Sequence, residues 1–105
     1  MSHPQTLTGK TLRCHFSDGP TAQKSFDHVF HPNGTVDWGM AGGELTTGED
    51  AALMKAGDAV FAGSYLSHNG YTLTMVFDLD SGKLVSFASD SKSWSKQHGT
   101  FEIID

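Results

Sequence analysis

Apolar and polar residues alternate along most of this chain, and that pattern is typical of β-strands with one buried face. Leu12, Cys14 and Phe16 alternate with polar neighbours in the first such segment, and Phe26, His28 and Phe30 define the second. Further strand-like segments are predicted at 36–38, 58–68, 71–80, 83–89 and 99–105. The pattern therefore predicts an all-β protein with little or no helix.

Short turn sequences separate these segments. Asn33-Gly34 and Asn69-Gly70 favour tight hairpin turns, and 80–82 reads Asp-Ser-Gly. No repeated helix is available to cross over between parallel strands, so the sheet should be antiparallel. We predict an up-and-down, eight-stranded, calycin/lipocalin-like barrel, because closure removes exposed sheet edges. A β-sandwich is the alternative.

Two local questions stay open at this level, and one further segment is predicted to be irregular. Residues 49–55 fit a short helix or a strand, and 91–97 (SKSWSKQ) is predicted to be a polar connection. Asp37 and Trp38 must point to opposite faces of their strand, but the sequence does not decide which of them faces inward.

Length and charge narrow the classes of function. The 105 residues predict one domain spanning 1–105, and a net charge of −5 with scattered Lys and Arg argues against nucleic acid as a partner. No apolar run is long enough to cross a bilayer and no signal peptide is recognised, so we expect a cytoplasmic protein. Cys14 is the single cysteine, which excludes an internal disulfide, and we predict a buried, inert thiol. His28 and His31 lie on opposite faces of one strand, so neither a metal nor a cofactor is predicted.

Several motifs together carry a family resemblance. The run GKTLRCHFSDG, then FHPNGTVDWGMAGG, then AVFAGSYLSHNGYTLTMVFDLDSGKLVSFAS and finally GTFEI resembles the MoaF-like proteins, from about Gly9 to Ile104. It is similar, more distantly, to the bacterial phenolic acid decarboxylases, which are calycin-type barrels. The resemblance implies a small barrel around a site for an organic molecule.

The decarboxylase site is not retained. The positions of its two tyrosines fall on Cys14 and Phe16, that of its arginine on Gly39, and that of its glutamate on Asp58. Without phenol or guanidinium donors, no group at these positions can hold a substrate carboxylate. We do not expect phenolic acid decarboxylation. The family name does not imply molybdenum cofactor chemistry either, because no glycine-rich phosphate loop, cysteine pair or basic cleft is present.

Two titratable residues are candidates for catalysis. Asp58 precedes a strand and is either a strand-opening polar residue or an acid at the barrel mouth. His28 lies between phenylalanines and is either a core histidine or a polar group in a pocket. The residues predicted to line a ligand site are Leu12, Cys14, Phe16, Phe26, His28, Trp38, Ser64, Leu73, Met75 and Phe77.

Three functions compete on this evidence. The first is a binding protein for a small, partly apolar or aromatic organic molecule. The second is an enzyme acting on such a molecule with Asp58 or His28 as acid or base, and the third is an interaction module with a packed core. Small residues at Cys14, Gly39 and Ala88, with Ala62 and Ser64, favour a partly open interior. Apolar residues on both faces of AVFAGSYL predict self-association, most simply as a dimer, with cover by the segment Met40–Lys55 as the alternative.

Overall fold

The computed structural model describes residues 4–104 as a closed antiparallel barrel of eight strands, each paired with the next and β8 paired with β1. The strands are β1 (Thr11–Phe16), β2 (Ser25–Phe30), β3 (Thr35–Met40), β4 (Thr46–Gly57), β5 (Val60–Leu66), β6 (Thr72–Asp78), β7 (Lys83–Ser89) and β8 (Trp94–Ile103). This confirms the up-and-down, calycin/lipocalin-like barrel and excludes the sandwich. Within the described range, no helix is present that could span a membrane.

The structure decides the open segment at 49–55 and corrects the prediction for 91–97. Residues 49–55 lie inside β4, with Leu53 turned inward and Met54 outward and 70% exposed. The prediction of a polar connection over 91–97 is wrong, because β8 begins at Trp94. Its inward positions at this end, Ser95 and Gln97, are polar, while the large apolar Trp94 at the rim is 69% exposed, so the usual alternation is inverted.

The interior differs between the two ends of the barrel. At one end, here called the closed end, the N-terminal segment folds over the opening and buries Leu7 completely. This end is packed by large apolar side chains, namely Leu12, Phe30, Val36, Phe61, Phe77, Leu84 and Phe101. The opposite, open end is surrounded by the loops 17–24, 41–45, 67–71 and 90–93. Any site for a ligand of substantial size must therefore lie toward the open end.

The barrel closes through a close approach of β8 to β1. Gly99 pairs with Phe16, and a Cβ atom at Gly99 would lie 2.2 Å from the carbonyl oxygen of His15. No side chain other than hydrogen fits at that distance without moving the backbone. Gly99 therefore sets how tightly this seam of the barrel closes.

Candidate functional site

A cavity of about 530 Å³ occupies the open end of the barrel. Its aromatic walls are Phe16, Phe26, Trp38, Tyr65, Tyr71 and Trp94. Polar side chains also reach it, from Thr21, Ser67, Asn69, Ser93, Ser95 and Gln97. Some of these residues lie at the loop-proximal ends of the strands, where the inward positions are no longer filled by the packed core. The others, Thr21, Ser67, Asn69, Tyr71 and Ser93, lie in the loops around the opening.

His28 and Tyr65 form a neutral polar pair at the inner wall of this cavity. His28 Nε2 and the Tyr65 hydroxyl share a hydrogen bond of 3.0 Å, and both residues are 2% exposed. Burial lowers the pKa of His28 to about 4, although the nearby Asp27 carboxylate opposes the shift, so the imidazole is uncharged near neutral pH. Burial also raises the pKa of the Tyr65 phenol, which stays protonated. The pair supplies hydrogen bonding without a formal charge.

Cys14 lies beyond this pair and behaves as a core residue. Its Sγ atom is 3.7 Å from His28 Nδ1, and the residue is fully buried. Burial raises the pKa of the Cys14 thiol far above its ordinary value. The thiol is therefore protonated and a poor nucleophile, as the sequence predicted.

A second polar group supports Trp38 from β4. The indole Nε1–H of Trp38 donates to Glu49 Oε1, and Glu49 Oε2 accepts from the backbone N–H of His68 and lies 2.8 Å from its Nδ1. The Glu49 side chain is only 8% exposed. Burial on its own would raise the pKa of Glu49, but hydrogen bonds from Trp38 and His68 outweigh burial and lower it. Glu49 is thus an ionised carboxylate held against the cavity wall.

Gln97 presents hydrogen-bond donors to the cavity. Its Oε1 atom accepts from the Thr21 hydroxyl at 2.7 Å and from the Thr21 backbone N–H at 3.4 Å. A backbone N–H can only donate, which fixes the orientation of the Gln97 amide. Gln97 itself lines the cavity, and its NH₂ group is not used by Thr21. Below the cavity, Ser86 Oγ is buried without a hydrogen-bond partner among residues 4–104.

The structure places the predicted lining residues in three groups. Those that line the cavity are Phe16, Phe26, His28, Trp38 and Leu73. Those that are buried in the core beyond it are Leu12, Cys14, Met75 and Phe77. Ser64 belongs to neither group, and its prediction is wrong. Its hydroxyl lies on the outer face of β5, 3.0 Å from that of Thr74, because Phe61, Gly63 and Tyr65 take the inward positions.

Asp58 is not part of the site, so its prediction as an acid at the mouth is also wrong. It is exposed in the β4–β5 turn at the closed end, because an up-and-down barrel places alternate turns at opposite ends. Gly39 lies on the outer face of β3 opposite Asp27, and Ala62 also faces outward. The small size of Gly39 and Ala62 therefore does not enlarge the cavity. Ala88, which lines it, does contribute room.

The open question at β3 is decided in favour of Trp38 as the inward residue. Asp37 faces outward and pairs with His31, with 2.8 Å between Oδ2 and Nε2.

The site residues that the sequence did not indicate include Tyr65, Glu49, Gln97 and Trp94. Tyr65 could have been found by assigning the aromatic face of β5 to the interior. Gln97 and Trp94 gave no such signal, because β8 inverts the alternation.

Known proteins support the fold and leave the function open. The sequence matches no protein-family model and no curated protein. In structure, the chain is similar to a protein from Burkholderia vietnamiensis described as a "putative beta-lactamase", with a TM-score of 0.73 and 13% identity over 99% of this chain and 100% of that one. At such low identity the likeness establishes a shared barrel architecture. Residues 4–104 contain no group of three or more His, Cys, Asp or Glu residues that could hold a metal ion.

Proposed function

We propose that this barrel binds a small, partly apolar and aromatic organic molecule in the cavity at its open end. The observation that carries the proposal is the cavity of about 530 Å³ with mainly aromatic walls and a few converging polar groups. Small-molecule sites in proteins commonly have this size and this mixture of apolar walls and placed polar groups. A place in the MoaF-like family and a cytoplasmic location are part of the same proposal.

The polar groups suggest how such a ligand would be oriented. The amide NH₂ of Gln97 and the His28–Tyr65 pair offer hydrogen bonds to a hydroxyl or carbonyl group. The aromatic walls would stack against or enclose the rest of the molecule. A phenol or a similar ring with one polar substituent satisfies both requirements.

Binding is favoured over catalysis and over a packed interaction module. Asp58 lies at the closed end, so it cannot act with His28 in one site. The low pKa of His28, caused by burial, makes it a weak base, and its Nε2 atom is already engaged by Tyr65. The open interior argues against the packed module. Of the three functions, ligand binding without catalysis therefore requires the fewest groups beyond those that the structure contains.

Ligand binding can be tested with 4-tert-butylphenol and with 2-naphthol. Since Trp38 and Trp94 both line the cavity, binding should change the tryptophan fluorescence. Saturation should also raise the melting temperature, because a ligand at 100 times its Kd adds about 2.7 kcal/mol to the free energy of unfolding.

A pair of variants on β7 controls for non-specific binding. Ala88→Phe places a ring in the cavity and should abolish both signals. Val85→Phe adds a ring to the outer face of the same strand, away from Trp94 and the cavity, and should leave both signals intact. Failure of every probe to bind the wild-type protein, or equal binding by Ala88→Phe, would contradict the proposal.

A further inference from the structure

The electron-rich aromatic rings of this protein are concentrated in one place. Both tryptophans and both tyrosines of the chain line the cavity, together with two of its seven phenylalanines. The remaining phenylalanines include those that pack the closed end, such as Phe30, Phe77 and Phe101. Phenylalanine suffices to fill an apolar core, whereas tryptophan and tyrosine present the more negative ring faces that attract cations.

Among these aromatic rings, that of Trp38 has both ring contacts and a hydrogen bond to a carboxylate. It stands 5.8 Å from the Tyr65 ring and 6.0 Å from the His68 ring, measured between centroids. Its indole N–H donates to the ionised carboxylate of Glu49. Donation of a hydrogen bond to an anion shifts electron density into the indole ring, which strengthens its attraction for a positive charge.

The charged groups around the cavity are mainly negative, which is the sign that attracts a cation. No Lys or Arg lines it, and the nearly buried carboxylate of Glu49 adjoins its wall. The loops around the open end carry the carboxylates Asp18, Glu44 and Asp90 against the ammonium groups of Lys24 and Lys92, within a chain of net charge −5. An anionic ligand would meet no Lys or Arg among the described lining residues and an excess of carboxylates at the rim, so its desolvation would be poorly compensated.

We propose that the preferred ligand of this cavity is an organic cation, an aromatic or alkyl ammonium compound whose charged group is held against Trp38 near Glu49. The inference rests on the proposed function and adds the charge of the ligand to it. Cation–π contacts in a desolvated pocket discriminate between a cation and its neutral isostere by about tenfold or more. The carboxylate of Glu49 adds a direct electrostatic attraction in a region of reduced dielectric constant.

Three probes that share one phenol ring test the ligand's charge. They are 4-hydroxyphenyl-trimethylammonium, its neutral isostere 4-tert-butylphenol and the anion 4-hydroxybenzoate. Binding to the wild-type protein is measured by calorimetry at pH 8, where unperturbed imidazoles are neutral. The cation should bind about tenfold more tightly than the neutral isostere, and the anion more weakly than both.

Glu49→Gln supplies the second measurement. It keeps an oxygen to accept the Trp38 N–H but removes the charge, so the preference for the cation should shrink while 4-tert-butylphenol still binds. Asp58→Asn removes one negative charge from an exposed turn at the closed end, away from the cavity and its rim, and should leave the preference unchanged.

The outcomes separate the two proposals. Binding of 4-tert-butylphenol with equal or weaker binding of the ammonium probe would overturn this inference and leave the proposed function standing. Absence of binding by all three probes would overturn both. Should Glu49→Gln fail to fold, the ratio of affinities in the wild-type protein still decides the question.

Discussion

His28 illustrates how a single residue can be polar, buried and uncharged at once. It is 2% exposed, stacks at a centroid distance of 6.3 Å on Phe30 and shares its Nε2 atom with the hydroxyl of Tyr65. Desolvation makes protonation of such an imidazole unfavourable in the folded state, whereas an unfolded chain protonates it freely. The folded state therefore loses stability relative to the unfolded state as the pH falls.

The stability of the protein should depend on pH through His28. Its folded pKa of about 4 lies below an unfolded value of 6.5, so the unfolded state binds more protons between these values. Its contribution is intact above pH 6.5, and about 2 kcal/mol of the free energy of unfolding should be lost between pH 7.5 and pH 5. Urea denaturation at the two pH values measures this loss.

His28→Gln is the control for that measurement, because a glutamine amide can still bond Tyr65 but does not titrate. The other described histidines contribute equally to both proteins, so the difference between wild type and variant isolates His28. An unchanged pH dependence in His28→Gln would mean that His28 is protonated at pH 5 without cost.

At the scale of the strands, the sequence predicts an element well where one of its faces is uniformly apolar. β1 and β6 follow that rule, with inward residues such as Leu12 and Phe77, and β2 and β7 depart from it only at His28 and Ser86. β4 and β8 fit it least, because β4 carries Glu49 behind Trp38 and β8 carries Ser95 and Gln97 at the cavity. The pattern is thus least strand-like where the polar groups of the site lie, since a binding site needs polar groups where a core needs apolar ones.

The candidate site could be predicted only in part for the same reason. Phe16, Phe26, His28, Trp38 and Leu73 were found because they lie on strands with regular alternation. Ser64 and Asp58 were misplaced because both faces of β5 are largely apolar, and because sequence alone does not show which end of the barrel is open. Both errors concern orientation and leave the fold prediction intact.

The seam between β1 and β8 gives a prediction at the same scale. Gly99→Ala would place a Cβ atom 2.2 Å from the His15 carbonyl oxygen, so the strands must separate there. We expect a loss of roughly 1–3 kcal/mol in the free energy of unfolding, as is usual for overpacked positions. Thr100→Ala, at an exposed position of the same strand, should cost less than about 0.5 kcal/mol. Chemical denaturation of both variants tests this, and equal stability of Gly99→Ala and wild type would show that the seam is not tight.

At the scale of the whole molecule, the outer surface of the barrel has two contrasting sides. β8, β1 and β2 carry charged outward residues, including Lys96, Arg13 and Asp27, with Arg13 Nε 2.9 Å from Asp27 Oδ1. The two central outward rows of β4 to β7 carry none. Their paired positions are Met54, Ala62, Val76 and Val85, then Ala52, Ser64, Thr74 and Phe87; the uncharged Leu66, Thr72 and Ser89 border them on β5 to β7, and Asp50 on β4. This uncharged face is the side on which two copies with a net charge of −5 can approach with the least repulsion.

Self-association through the uncharged face is therefore our last prediction. Met54, Leu66 and Phe87 are 70%, 55% and 44% exposed, so a second copy placed on this face would remove three large apolar side chains from water. A two-fold dimer would use the same face of both copies, and its contacts would be largely apolar.

Sedimentation velocity at increasing concentration should reveal a dimer for the wild-type protein. Met54→Lys should be monomeric, because it places like charges across the two-fold axis. Thr100→Lys adds the same charge to an exposed position on β8, outside this face, and should still dimerise. A wild-type protein that stays monomeric at high concentration, or a dimer that survives Met54→Lys, would remove this face as the interface.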